Sequence, residues 1–214
     1  ITGLVLAGAD AAKYQLPAGE VTTTADIIAA QLTPAVSVAD KTYDGTTGAS
    51  IVSRSLTGVI GAEDVSLVNG SAAFVDRNAG TGKTVTVVGL ALAGTDADNY
   101  ALASPGATTQ ATISPRPITV TAAADSKTYD GTATATGTPT ITTGDLVGGD
   151  TGAWTQSFDT RHAGTGKTLT PAGAVSDDNG GGNYAVTFAP AASGTISPLP
   201  MTVTAVTDSK VYDG

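Results

Sequence analysis

Cysteine is absent from this chain of 214 residues, and histidine occurs once, at His162. Disulfide bonds, thiolate metal sites and thiol chemistry are therefore excluded, and one imidazole cannot build a zinc site from the usual histidine spacings. No run of residues approaches the roughly 18 apolar residues of a membrane-spanning helix. The net charge of −9 at pH 7 repels a phosphate backbone. These features argue against nucleic acid as a partner and against membrane insertion of this segment.

Aromatic residues make up only 5% of the chain and charged residues 14%, whereas hydrophobic residues make up 41%. Most of the hydrophobic residues are Ala, Val, Ile and Leu, and they are set among many Thr and 27 Gly. β-branched side chains pack well on a pleated surface, and glycine is favoured in turns. The composition therefore favours strands and turns over helices.

Three short motifs show that the chain is repetitive. Lys-x-Tyr-Asp-Gly occurs at 41–45, 127–131 and 210–214. The block FVDRNAGTGKT at 74–84 returns as FDTRHAGTGKT at 158–168. Internal repetition at a fixed period indicates an array of similar units, here of about 84 residues each.

The repeats divide the chain into four parts. Residues 1–33 correspond to the C-terminal part of a repeat, residues 34–117 and 118–200 to two complete repeats, and residues 201–214 to the first strand of a further repeat. A Pro-x-Pro sequence ends each complete repeat, at 115–117 and 198–200, and stiffens the chain toward polyproline II geometry. We expect small folded units joined by semi-rigid linkers, within a chain that is a segment of something longer.

The six tyrosines occupy only two positions of the repeat. Since aromatic residues are scarce, we expect these tyrosines to be buried anchors of each unit. The glycine after each Tyr-Asp pair is expected to take a positive φ in a turn. The structural marks of the repeat are Tyr43, Asp44, Gly45, Tyr129, Asp130, Gly131, Tyr100 and Tyr184.

Each complete repeat contains six or seven segments with strand patterns. Residues 65–68 and 71–75 flank Asn69-Gly70, which predicts a hairpin turn at that pair. The alternating segment 83–94 is interrupted at Val88-Gly89, which predicts a β-bulge. The predicted fold is all-β, with tandem sandwich-like units and a β-grasp-like unit as the alternative.

The repeated AGTGKT sequence resembles part of a nucleotide-binding loop but fails its requirements. The first glycine of the P-loop pattern falls on Arg77 in one copy and on Arg161 in the other. A strand pattern follows instead of a helix, so stacked helix N–H groups for a phosphate are missing. We therefore predict a tight turn that leads into a strand, with no cofactor, and place His162 in the loop beside that turn.

Calcium and a self-formed crosslink are the remaining chemical alternatives. The calcium candidates are Asp96, Asp98, Asp177 and Asp178, which lie in two glycine- and Asx-rich loops, but neither loop has the EF-hand spacing. An isopeptide bond would join Lys41 to Asn99, or Lys127 to Asn183, although the opening partial copy has lysine at the asparagine position. Loops that turn by bonding their own backbone explain the same residues. No catalytic set of residues is found, so an enzyme is not expected.

The Lys-x-Tyr-Asp-Gly mark, the block NAGTGKTVTVVGLALAGTDADNYAL and the sequence ATISPRPITVT together resemble the YDG/MBG-type repeats of large bacterial exoproteins. Such repeats often follow a filamentous-haemagglutinin-like secretion domain. The resemblance covers essentially the whole chain and implies an extracellular or cell-surface location. It brings no catalytic residues with it.

The resemblance implies a structural stalk segment of a bacterial surface or secreted adhesin, which supports cell–cell or biofilm adhesion by extending a distal binding region. The alternative is that the repeats themselves bind polysaccharide, or bind like repeats of neighbouring chains. Trp154 is the one large ring outside the repeated tyrosines that suits a binding role, and it lies in one copy only.

Overall fold

A computed structural model describes residues 3–18 and 22–214. Among these residues, regular structure consists of strands and two short 3-10 helices, Ala11–Lys13 and Ala97–Asn99. The prediction of an all-β fold built from tandem repeats is confirmed. In the described part of the chain, no helix is long and apolar enough to cross a membrane.

The first complete repeat contains eight strands in two sheets. In the smaller sheet, the central strand β1 pairs antiparallel with β4 and parallel with β7. In the larger sheet the order is β2-β8-β6-β5-β3, and only the β2–β8 pair is parallel. The strands are β1 (Ala30–Val38), β2 (Lys41–Thr42), β3 (Gly48–Ala49), β4 (Ile51–Thr57), β5 (Ser66–Phe74), β6 (Gly80–Ala93), β7 (Tyr100–Leu102) and β8 (Ala107–Ser114).

The second complete repeat has the same topology with seven strands. Its smaller sheet has the order β11-β9-β14, and its larger sheet has the order β10-β15-β13-β12. An isolated bridge between Thr134 and Ser157 takes the place of the short strand β3. The strands are β9 (Arg116–Thr121), β10 (Asp125–Thr128), β11 (Thr140–Thr143), β12 (Thr151–Phe158), β13 (Gly164–Ser176), β14 (Tyr184–Ala189) and β15 (Ala191–Ser197).

The predicted hairpin at Asn69-Gly70 is wrong. Both residues have positive φ, 61° and 99°, yet they lie inside the continuous strand β5. Gly70 lies opposite Gly89, whose φ is 74°, and the register of β5 with β6 is the same on both sides of this pair. The interruption at Val88-Gly89 is therefore a kink shared by two strands, and no extra residue is inserted as in a bulge.

The AGTGKT segment also differs from the predicted turn. Residues 75–79 make the turn, and Gly80 already begins β6 because it pairs with Ile113 of β8. The register shifts between Gly80 and Lys83, where Gly82 has a φ of 58°. The second copy shows the same shift between Thr165 and Lys167. The glycines of this motif thus form a bulge at the start of a long strand.

The repeats are packed against each other with almost no linker between them. Only Pro115 separates the end of β8 from the start of β9, and Pro117 is already paired with Ala185 of β14. Strand β1 begins at Ala30, four residues before the repeat edge placed at 34 from the sequence. Residues 198–214 form no strand.

The larger of two hydrophobic clusters crosses the boundary between the repeats. It joins residues of the first repeat, such as Tyr43 and Val85, to Ile118, Val175 and Tyr184 of the second repeat. A separate cluster of the second repeat contains Phe158, Leu169 and Ile196. The larger sheet of the first repeat and the smaller sheet of the second repeat therefore share one core.

Candidate functional site

The junction between the two repeats contains several buried polar side chains, among them those of Asp150, Asp177 and Asn183. We call the surface of the first repeat that enters the junction the turn face; it consists of Tyr43, Gly45, Arg77, Asn78 and Ala79. We call the opposing surface of the second repeat the receiving face; it consists of Val147, Gly148, Asp150, Asp178, Asn183 and Tyr184. Hydrogen bonds between these faces span 71 to 107 residues of sequence, so the fold alone brings them together.

The Tyr-Asp-Gly turn is held rigid by a lysine. Lys41 Nζ donates to Asp44 Oδ1 and to the Thr46 carbonyl oxygen, each at 2.8 Å, while the Thr46 backbone N–H donates to Asp44 Oδ1. Burial acts to raise the pKa of Asp44, but the hydrogen bonds from Lys41 and Thr46 outweigh it and lower the pKa. Lys127, Asp130 and Thr132 repeat the arrangement, and the hydrogen bond from Lys127 is the main reason why the pKa of Asp130 falls to about 2.

Tyr43 projects from this turn into the second repeat. Its side chain is fully buried, and its ring meets that of Tyr184 edge to face, with 5.5 Å between the ring centroids. The hydroxyls of Tyr43 and Tyr184 both donate to Asp150 Oδ2, each at 2.9 Å. Burial, together with the hydrogen bond to Asp150, raises the pKa of Tyr43 to about 12. One carboxylate thus ties a tyrosine of each repeat into the junction.

The glycine of the Tyr-Asp-Gly turn lets the two backbones touch. Gly45 has a φ of +78°, and a Cβ atom placed on it would lie 2.8 Å from the Cα atom of Gly148. Gly148 has a φ of +66°, and a Cβ atom placed on it would lie 3.2 Å from the Cα atom of Gly45. A side chain at Gly45 would therefore push the repeats apart.

Arg77 adds a charged clamp to the turn face. Its Nη1 donates to the Gly148 carbonyl oxygen at 3.3 Å and its Nη2 to Asp178 Oδ2 at 3.1 Å, and Asp150 Oδ1 lies 3.7 Å from Nη2. The Asp150 side chain is only 3% exposed, so this charge is desolvated and needs its partners. A single arginine thus meets two carboxylates and one backbone carbonyl of the next repeat.

The lysine of the AGTGKT motif stabilises the turn that carries Arg77. Lys83 Nζ donates to Asp76 Oδ1 at 2.6 Å, and the Asn78 backbone N–H donates to the same oxygen. The hydrogen bond from Lys83 is the first cause of a lowered pKa at Asp76. In the second copy, Lys167 donates to Thr160 and pairs with Asp159. The motif thus uses its lysine inside the protein, as an ion-pair partner.

Asn183 forms hydrogen bonds with the two remaining residues of the turn face, Asn78 and Ala79. This fully buried side chain accepts a hydrogen bond from the Ala79 backbone N–H at 2.7 Å, and its Nδ2 donates to Asn78 Oδ1 at 3.3 Å. Asp177 holds the loop around it by accepting from the backbone N–H groups of 179, 181 and 183. Burial acts to raise the pKa of Asp177, but these N–H groups outweigh it and lower the pKa.

The tyrosines predicted to be buried anchors differ in burial between the complete and the partial repeats. Tyr43, Tyr100 and Tyr184 are buried, and Tyr129 is half-buried beside the smaller cluster. In the partial copies, Tyr14 is 71% exposed and Tyr212 is 91% exposed. Burial of the tyrosine in the Tyr-Asp-Gly turn therefore accompanies the presence of a following complete repeat.

The four calcium candidates have other partners or remain on the surface. Asp177 caps its own loop, Asp178 pairs with Arg77, and Asp96 accepts from the Asp64 backbone N–H at 2.8 Å. Asp98 is exposed in the short helix Ala97–Asn99. Among the described residues, no three histidine or carboxylate side chains are grouped so that they could hold a metal ion. The same loops therefore have a structural use at the junction and at the end of β6.

The remaining single residues lie apart from one another. Trp154 is half-buried, packs against the large cluster and meets Phe188 edge to face at 6.1 Å between ring centroids. His162 is exposed in the turn before β13. Lys41 and Lys127, the lysines considered for an isopeptide bond, are held by the aspartate and threonine of their own turns. None of these residues adds a catalytic group to the junction.

Sequence reasoning missed Arg77, Asp150 and Asn183 as partners across the junction. A signal was present, because Arg77 recurs as Arg161 and Asn183 recurs as Asn99 at the same positions of the repeat. Asp150 has a counterpart in Glu63, which accepts a hydrogen bond from Tyr100 as Asp150 does from Tyr184. Repetition reveals that these residues matter to the unit, but it does not reveal that their contacts run from one unit to the next.

The repeat architecture agrees with a comparison against known families. The model of the YDG domain matches the chain twice, at residues 28–111 and 114–193, close to the limits of the two structural repeats. Searches of curated proteins and of solved structures gave no match. With two adjacent copies that cover most of its length, the chain belongs to the YDG domain family.

Proposed function

We propose that this chain is a rigid spacer: a stalk segment of a bacterial cell-surface or secreted adhesin that holds a distal binding region away from the cell. The observation that supports it best is the junction, where Tyr43 and Arg77 of one repeat share the buried carboxylate of Asp150 in the next. The YDG domain family fits a structural or binding role. The adhesin setting rests on the resemblance of the repeated motifs to those of bacterial exoproteins.

A spacer has to resist bending, and the junction supplies a physical reason why it would. Bending would separate Asp150 from Tyr43, and Asn183 from Ala79, in a region where these groups are shielded from water. An unpaired buried polar group costs about 1 to 3 kcal/mol, and an unpaired buried charge costs more. Opening the junction would also expose apolar surface of the shared cluster.

The connection between the repeats favours the same behaviour. Flexible linkers are usually several residues long, whereas a single residue, Pro115, separates two strands that belong to different repeats. Proline fixes its own φ and restricts the residue before it. An array built with such connections would add a nearly constant length and rotation with each repeat.

A distance measurement across the junction tests this proposal. The chain has no cysteine, so spin labels can be attached at two introduced cysteines, Val52→Cys in β4 and Ser157→Cys in β12. We expect electron–electron double resonance to give one narrow distance distribution. Adding Arg77→Glu should broaden it, because a negative charge would face Asp150 and Asp178.

Arg161→Glu is the matched control, since it makes the same charge change at the same repeat position away from the internal junction. It should leave the distribution narrow. A broad distribution in the unmodified junction, or equal broadening by both charge changes, would count against a rigid spacer.

The second candidate function is direct binding of polysaccharide by the repeats. Trp154 is the side chain that suits it, since aromatic rings stack on sugar faces, yet its ring packs against Phe188 and the large cluster. A glycan array and an exopolysaccharide pull-down with this chain separate the two functions. Saturable binding that is lost in Trp154→Ala would favour the binding role, and absence of saturable binding would favour the spacer.

A further inference from the structure

Strand β12 lies at the edge of the larger sheet of the second repeat. It pairs with β13 along its whole length without a register shift. In the described part of the chain, strand-like contacts on its other side occur only at its end, where Thr134 forms an isolated bridge with Ser157 and the Phe158 backbone N–H donates to the Ala133 carbonyl oxygen. We call the side of residues 151–156 that faces away from β13 the free edge.

The hydrogen bond of Phe158 shows which backbone groups face the free edge. Its N–H points away from β13, and alternate residues of an antiparallel strand direct their N–H and C=O groups to the same side. Gly152, Trp154 and Gln156 therefore direct these groups to the free edge. Residues 151–153 are exposed, so another strand can reach this part of β12.

The corresponding edge of the first repeat, along β5, is protected in three ways. The short strand β3 pairs with residues 72–73. Arg54 Nε donates to the Asn69 carbonyl oxygen at 2.8 Å, and positive φ at Asn69 and Gly70 kinks the strand. A covering strand, a charged side chain and a local distortion all prevent an edge from pairing with another chain. Strand β12 has no charged residue and no positive φ, and the bridge from Thr134 alone stands in the place of β3.

A following repeat does not cover this edge. The first repeat shows this, because among the described residues its hydrogen bonds to the second repeat come from Tyr43 and from residues 77–79, which lie beyond the end of β5. The free edge itself begins next to Asp150, at the junction with a preceding repeat that is in place. Its accessibility is therefore a property of the complete repeat.

The net charge bears on which partner the free edge can accept. At −9, two copies of this chain repel each other over most of their surfaces. Residues 151–158 carry no charged side chain, so two copies of β12 can lie side by side without that repulsion. An antiparallel pair of identical strands is symmetric, and each strand offers the N–H and C=O groups that the other lacks. A second copy of β12 therefore matches the free edge in charge and in hydrogen bonding.

We infer that β12 pairs antiparallel with β12 of a second copy of this chain across a twofold axis. Trp154 then lies opposite Trp154 of the copy, and Gly152 lies opposite Gln156, so that the outward N–H and C=O groups of all three residues are paired.

This pairing fixes the relative direction of the two chains. Strand β12 begins at the receiving face and ends at the turn that leads to β13, so it follows the direction in which the repeats succeed one another. Two chains paired through β12 therefore run in opposite directions, as stalks anchored on facing cells would. The inference deepens the proposed function and rests on it for this cellular setting, since it names the partner as a second stalk.

Disulfide crosslinking between whole chains tests the pairing and its register. The inferred register places Ala153 opposite Thr155 of the copy in a non-hydrogen-bonded pair, with Cα atoms about 4.5 Å apart, which a disulfide can bridge. Both residues are exposed, so Ala153→Cys and Thr155→Cys should not disturb folding. Two copies of the same variant would place their cysteines diagonally, about 7 to 8 Å apart. We expect about tenfold more disulfide-linked dimer when the two variants are mixed than when either is oxidised alone.

Charge changes at the same two positions separate pairing from folding. Ala153→Glu together with Thr155→Glu places like charges opposite each other and should weaken the dimer about tenfold in sedimentation equilibrium. Ala153→Glu together with Thr155→Lys is the matched control, because each glutamate then faces a lysine of the copy, and its dissociation constant should stay near that of the wild type. On β13 both positions lie opposite alanines, Ala174 and Ala172, so neither double variant places a charge against another on that strand.

Three outcomes overturn the inference: a wild-type chain that stays monomeric at its highest soluble concentration, equal crosslinking in the mixture and in the separate variants, or a dimer that the two glutamates leave unchanged. Failure here is distinguishable from failure of the spacer proposal. A monomeric chain with a narrow distance distribution across the junction retains the spacer and removes lateral pairing. A dimer with a broad distribution retains the pairing and removes the rigid spacer.

Discussion

Asp150 is the residue on which the two repeats converge, because its carboxylate accepts hydrogen bonds from Tyr43 of one repeat and Tyr184 of the other. Its nearly complete burial makes each partner matter, since a desolvated carboxylate is stable only when paired. The scarcity of aromatic residues made the importance of the tyrosines predictable. Their hydroxyl partners were not predictable, because Tyr43 and Asp150 are 107 residues apart and belong to different repeats.

Tyr43 gives the junction a dependence on alkaline pH. Its pKa is raised from 10 to about 12 in the folded chain, so between these values the unfolded chain loses a proton that the folded chain keeps. The stabilisation is fully present below pH 10 and is lost as the pH rises through 12. We expect the free energy of unfolding to fall by about 2 kcal/mol more in the wild type than in Tyr43→Phe over this interval.

Urea denaturation at several pH values measures this difference. Tyr129→Phe is the matched control, because Tyr129 holds the same repeat position but its hydroxyl has no hydrogen-bond partner among the described residues. It should keep the steep decline of the wild type. Equal slopes in Tyr43→Phe and wild type would show that Tyr43 does not ionise on unfolding as inferred.

At the scale of single elements, the Tyr-Asp-Gly turn has a different surrounding in each repeat. Gly45 and Gly131 have nearly the same φ, +78° and +82°, but only Gly45 contacts a neighbouring backbone, that of Gly148. A Cβ atom on Gly131 would meet nothing within 4 Å. Both turns therefore need glycine for its positive φ, but only Gly45 also needs it because a neighbouring backbone lies too close for a side chain.

Alanine substitutions at these two glycines should differ in cost. Both place alanine at positive φ, which costs about 1 kcal/mol. Gly45→Ala should lose a further 1 to 3 kcal/mol, roughly the cost of overpacking, because Gly148 must move away. Chemical denaturation of the two variants under the same conditions measures the difference. Equal losses would mean that the backbone contact at the junction contributes nothing to stability.

Local sequence signals identified where the backbone is unusual more reliably than what it does there. Asn69-Gly70 predicts a hairpin turn, and both residues do take positive φ, but the pair kinks a continuous strand because Gly89 opposite it also has positive φ. A two-residue hairpin turn and a kink within a strand both require positive φ at these two residues. Which of the two forms depends on the strand that pairs with this segment, and the residues around Asn69-Gly70 do not specify that strand.

On the scale of the whole molecule, the shared cluster ties the stability of one repeat to the other. The all-β fold and the tandem arrangement were predictable, since one topology is written twice in the sequence. The tight junction was not predictable from the sequence, because Pro-x-Pro sequences favour extended linkers. In the structure, Pro117 instead lies within a strand and pairs with Ala185. Near-neighbour coupling of this kind is characteristic of repeat arrays.

We expect calorimetry of the wild-type chain to show one cooperative transition for both repeats, because they share a hydrophobic cluster and buried polar partners. Arg77→Glu should split this into two transitions by weakening the junction while leaving each sheet intact. Arg161→Glu should retain the single transition. Two transitions already present in the wild type would indicate that the repeats unfold independently.

Because every complete repeat carries one turn face and one receiving face, the interface does not depend on which repeat stands next to which. Loss of a whole unit from an array would bring the turn face of the preceding unit against the receiving face of the following one, and a duplication would do the same. Recombination between the repeated segments of the gene could thus lengthen or shorten such a protein in steps of one unit. No new contact would have to evolve at the point of exchange.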